Sequence, residues 1–150
     1  TAAAHDTPAL VRAAAVAAIG TLKDGGDAAL AAVRAAWSGD ASYGVRAAAV
    51  LALARLAPDE GGVTIRAALG TPTYFDDIAL AGLRSLFLGP VDSTTVAAVE
   101  TRLGDIQSAA FALGALGGQG NAWAKAALER HADDPRPWVR AWVKQAAARH

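Results

Sequence analysis

Apolar residues recur along this chain at helical spacing. Val45, Ala48, Ala49, Leu53 and Leu56 fall on one stripe, in steps of three and four that keep to one helix face. The stripe then comes back. Val11-Arg12 opens a run Val-Arg-Ala-Ala-Ala-Val that ends near Leu22, and Val45-Arg46 opens the same run, ending near Leu56. Val139-Arg140 opens a third version, Val-Arg-Ala-Trp-Val-Lys-Gln-Ala. The first two starts lie 34 residues apart, and the third lies 94 residues beyond the second. That interval is close to three periods of about 31, the repeat length of a helix pair. Two weaker copies fill it, over 74–87 with Ile78 in the place of Val45, and over 105–116 with Ile106 there.

Between these first helices the pattern predicts second helices at about 27–38, 61–69, 93–103 and 121–132. The expected architecture is all-α, four helix pairs and a final helix stacked as one α-solenoid domain over 1–150. Thr7-Pro8, Thr71-Pro72 and Asp134-Pro135 read as starts, each a cap residue followed by Pro at the first helical position. Gly20, Gly39, Gly70, Gly89, Gly104 and Gly117 read as stops, and the glycine-rich stretch 114–120 as a turn between helices.

Composition sharpens this picture. The chain has 41 Ala, about 27% of its length. Alanine is the strongest helix former, and at a repeated phase it lets stacked helices approach closely. Leu22, Leu53, Leu56, Leu86 and Leu113 are expected to fill the interior, and enlarging Ala48 or Ala49 to Leu is expected to cost about 1–3 kcal/mol by overpacking.

An Asp precedes the Arg of each clear copy by six residues: Asp6 with Arg12, Asp40 with Arg46, Asp134 with Arg140. This pattern of Asp, Val-Arg, Ala-Ala and then Ala-Leu or Ala-Ile-Gly resembles the HEAT repeat. The resemblance implies that these six residues form a structural ladder between neighbouring repeats. The middle copies depart from it, with Asp77 or Ala79 and then Gln107 where Arg is expected. A narrower likeness lies in Asp40-Ala-Ser-Tyr-Gly-Val-Arg46 followed by Thr71-Pro-Thr-Tyr-Phe-Asp76. These two turns resemble the C-terminal HEAT-like region of bacterial aminopeptidase N-like zinc metallopeptidases. That implies a non-catalytic domain that packs against an upstream catalytic domain of the same chain and contributes to peptide access. It also implies zinc in the parent protein and no cofactor in this segment. The chain opens on Thr1 and contains no Met, so it is expected to be a processed chain or an excised segment of a longer protein.

Charge and candidate chemistry narrow the partners. Fourteen basic and 14 acidic residues cancel. A glycosylase-like nucleic-acid enzyme on a helical-repeat scaffold is therefore disfavoured, because phosphate contacts need clustered cations. No apolar run is long enough for a bilayer. With no Cys, thiol nucleophiles and zinc fingers are excluded. The three histidines, His5, His131 and His150, cannot make the HExxH zinc motif. His131 with Asp133 and Asp134 offers a metal reading; the favoured one is a helix end followed by a capping Asp134. The serines have no His at a recognisable triad spacing. The expected partner is protein or peptide, with neither nucleic acid nor membrane. The candidate binding surface comprises Arg34, Trp37, Arg66, Arg102, Lys125, Trp138 and Trp142. Trp138 and Trp142, one turn apart on the last helix, serve either as a docking patch or as a terminal cover for the core.

Overall fold

The computed structural model describes residues 8–22 and 25–149. Asp6, His5 and His150 lie outside the described residues. Among the described residues there are nine α-helices and no strand, so the fold is all-α. The helices are α1 Ala9–Ile19, α2 Gly26–Gly39, α3 Tyr43–Leu56, α4 Pro58–Leu69 and α5 Asp77–Ser85, then α6 Ser93–Glu100, α7 Gln107–Gly118, α8 Ala122–Arg130 and α9 Pro137–Ala148. Alternating first and second helices follow the predicted order.

Local chemistry explains several ends. The Asp92 carboxylate accepts the Thr95 N–H at 2.8 Å and starts α6. The Asn121 side-chain oxygen accepts the Ala124 N–H at 3.0 Å and starts α8. Each satisfies an amide that has no partner within its own helix. Pro58 and Pro137 stand in the first turns of α4 and α9, where a missing N–H costs nothing.

Other expected punctuation falls elsewhere. Pro72 does not open a helix: residues 71–76 form a turn that carries Asp76 at φ 54°, and α5 begins at Asp77. Tyr74 and Phe75 stand exposed on that turn, edge to face at 4.6 Å. Pro135 likewise precedes α9 by two residues. The stretch 114–120 is not all turn, because α7 runs on through Gly118. Gly114 is a contact glycine: a Cβ there would lie 2.8 Å from the Ala146 carbonyl oxygen of α9. Leu22 is a correction too. It is half exposed, whereas Leu53, Leu86 and Leu113 are buried.

Two compact units divide the chain, the first ending at Pro90 and the second beginning at Val91. In the first, α3 is the hub. The first helices α1 and α5 pack on it, the second helix α2 packs into it, and α4 packs against both α3 and α5. Val33, Val45, Ala49, Ala52 and Leu53 form one buried cluster, and Val50, Ala68, Ile78 and Ala81 another. Trp37 packs against both. Burying such side chains is the main stabilising contribution, about 25 cal/mol for each Å² of apolar surface removed from water.

In the second unit α7 is the hub. Helices α8 and α9 pack on it, and α6 packs against α7 and α8. Val99, Leu103, Leu113 and Val139 are fully buried there. Helix α8 stands off from α9.

Candidate functional site

The two clear Asp residues build the same turn with different cations. In the first unit the Asp40 carboxylate accepts the Ser42 N–H at 2.8 Å. It also accepts the Arg12 guanidinium, from α1, at 2.8 Å through Nε and 2.9 Å through Nη2. This forked pair joins one helix pair to the next. The hydrogen bond to Asp40 raises the Arg12 pKa, against a smaller opposing effect of burial. In the second unit the Asp134 carboxylate accepts the Arg136 N–H at 3.0 Å and the Arg136 guanidinium at 2.8 and 2.9 Å. Here the cation comes from the turn itself, and the preceding first helix offers Gln107 instead of an arginine.

Asp134 is nearly buried. The side-chain and then the backbone hydrogen bonds from Arg136, with His131 third, hold its carboxyl well below the usual carboxylate range. His131 faces Asp134 through Nδ1 at 2.8 Å and Glu100 through Nε2 at 3.2 Å. Arg130 holds the same Glu100 at 2.8 Å. The ring therefore lies between carboxylates that already carry arginine partners. Among the described residues no three His, Cys, Asp or Glu side chains gather as a metal site.

Arg46 and Arg140 do not hold the carboxylates of Asp40 and Asp134. Arg46 donates through Nε to the Trp37 carbonyl at 3.1 Å and lies over the Trp37 ring, 5.0 Å from its centroid. Arg140 donates to the carbonyls of Asp134 and Pro135 at 2.7 and 3.2 Å. The even spacing thus reflects a shared turn, and the carboxylate of Asp40 is bound by Arg12 of α1, the preceding first helix.

A groove of about 880 Å³ opens in the second unit. Its floor is the C-terminal part of α7, with Gly114, Gly117 and Gly118. One wall is α8, with Lys125, Leu128 and Glu129; the other is α9, with Arg140, Val143, Lys144 and Ala147. Such a volume lies within the span of about 300–1,000 Å³ usual for binding pockets. Lys125, Glu129, Arg140 and Lys144 are all exposed.

Of the predicted surface residues, only Lys125 lines this groove. Arg34, exposed, pairs with Glu60, and Trp37 is half buried in the first unit's core. Arg66 is half buried on α4. Arg102 pairs with Asp105 at 3.0 Å. Trp138 donates its indole N–H to the Gly104 carbonyl at 2.9 Å, and Trp142 is half buried. The sequence pattern does not single out Lys144, and it reads the three glycines as turn residues, whereas they lie in α7. The signal that could have found Lys144 is phase, since it stands 94 residues after Val50. No described helix is long and apolar enough to cross a membrane.

Compared with protein-family models, with curated proteins and with solved structures, the chain matches none.

Proposed function

We propose that the helix pairs are HEAT-like repeats stacked as an α-solenoid, and that the chain acts as a docking module for protein or peptide. The observation that carries this reading is the recurrent packing in the first unit. First helix stacks on first helix through α1, α3 and α5, each second helix packs into the next first helix, and Arg12 reaches across to Asp40. Stacks of this kind present long faces to partners. The chemistry of such a role is positioning and enclosure.

A narrower reading rests on the two turns Asp40-Ala-Ser-Tyr-Gly-Val-Arg46 and Thr71-Pro-Thr-Tyr-Phe-Asp76. It makes the chain the accessory domain of a zinc aminopeptidase, covering an upstream catalytic domain. The gene on the 5′ side of the Thr1 codon tests it. An encoded HExxH with a later Glu supports the accessory role, and a gene without it overturns that role. If the motif is encoded, the purified catalytic part is mixed with this chain and followed by size-exclusion chromatography with light scattering. Co-elution as a complex is expected; independent elution overturns docking between them.

A further inference from the structure

We infer that the groove between α8 and α9 is a binding site for an acidic amphipathic peptide, apolar on one face and carrying carboxylates along its edge. The inference deepens the docking-module reading by naming the site and the chemistry of its occupant.

At equal phase the two units differ in the residues around this groove. Asp40 and Asp134 are 94 residues apart, and the same offset relates α2 and α3 to α8 and α9. In the first unit Leu30, Val33 and Trp37 of α2 pack against α3. At the same phase the second unit has Ala124, Ala127 and His131. On the facing helix Leu53, clustered with Val33, and Val50, clustered with Ala68, Ile78 and Ala81 of α4 and α5, stand where the second unit has Ala147 and Lys144, both exposed. Lys144 and Ala147 line the groove on α9, while Ala124 and Ala127 are fully buried away from it and Lys125, Leu128 and Glu129 form its α8 wall.

The lining residues set its charge. Arg46 is covered by the Trp37 ring. Its counterpart Arg140 has His131 at the Trp37 phase, and His131 is held between Glu100 and Asp134. Arg140 lines the groove instead. With Lys125 and Lys144 it makes three cations, against one anion, Glu129, among the described lining residues. The apolar lining includes Leu128, Pro137 and Val143. An apolar surface edged by cations matches a peptide with apolar anchors at i, i+3 and i+4 and carboxylates beside them. Glu129 selects for one basic residue in that peptide, and it disfavours a polyphosphate backbone, which carries only negative charge. The zero net charge of the chain points the same way.

The test is selection from a displayed library of random peptides, roughly 16 residues long, on the purified 150-residue chain. Enriched peptides are expected to be acidic and amphipathic. They should shift the amide resonances of Gly114, Gly117, Gly118 and Lys125. The double variant Lys125→Glu/Lys144→Glu, both exposed positions, should keep the wild-type melting temperature and weaken those peptides by about tenfold or more. A single-stranded oligothymidine should fail to compete. No enrichment, enrichment without acidic bias, unchanged affinity in the double variant, or displacement by the oligonucleotide each overturns the proposal. Peptides mapping to the first unit would sink the groove and leave the docking-module reading standing. Loss of the aminopeptidase reading alone would not affect it.

Discussion

In the first unit, Trp37 of α2 is wedged between two buried clusters and carries Arg46 on its face. In the second, His131 stands at that phase and bridges Glu100 and Asp134. Both units keep the Asp turn, the Val-Arg start and the first-on-first helix packing. They differ in what fills the angle between a second helix and the first helix that follows. In one unit Leu30, Val33 and Trp37 pack there against α3; in the other Lys125, Glu129, Arg140 and Lys144 line a groove beside Leu128 and Val143. The same order of helices can therefore carry a packed core in one unit and an open groove in the other.

That comparison can be broken most severely at Trp37. Trp37→Ala should cost about 3 kcal/mol, the low end for a core Trp because the ring is only partly buried. His131→Ala should cost about 1 kcal/mol, since it removes hydrogen bonds and little packing. Urea denaturation of both variants checks this, and equal losses would mean that the two positions do the same work.

Arg46→Ala comes next. It loses both the Trp37 carbonyl and the ring, for about 1–2 kcal/mol. Arg84, exposed on α5, should change stability by less than about 0.5 kcal/mol when truncated. Equal melting temperatures for the two variants would remove the structural role of Arg46.

Making the second unit resemble the first sharpens the comparison from the other side. Lys144→Val with Ala147→Leu restores residues of the first unit's type and fills the groove. A gain of about 0.5–2 kcal/mol is expected, as for other cavity-filling changes, together with loss of peptide binding. A destabilised double variant would show that α8 and α9 are held apart by something other than side-chain volume.

The smallest effect concerns acid. The carboxyl of Asp134 is depressed in the folded state, chiefly by Arg136. Its stabilisation is therefore fully present above the unfolded carboxylate pKa of about 3.9 and is lost as pH falls below it. Asp134→Asn should be less stable than wild type at neutral pH and lose less on acidification from about pH 5 to pH 2. Parallel melting curves against pH would remove Asp134 from the acid response.

Much of this was legible in the sequence. The stripe of Val45, Ala49 and Leu53 named a helix face that is buried, and the Asp phase marked two turns of the same design. Proline and glycine misled where their role was tertiary. Pro72 and Pro135 sit in turns ahead of their helices. Gly114 reads as a breaker, but its missing Cβ lets α9 approach the α7 backbone. The groove was not legible as such, since Lys125, Arg140 and Lys144 belong to two helices whose separation no local pattern specifies.

The sequence alone determined the helical state, the alternation of first and second helices and the recurrence of the Asp turn. Those depend on local propensity, capping and a 3.6-residue period, all of which act within a few residues. Only the tertiary structure decided which arginine binds which aspartate, that Trp37 lies under Arg46, and that α8 stands off from α9. Those depend on distances between residues far apart in the chain, where side-chain volume and competition for each carboxylate select one arrangement among several that the sequence pattern allows.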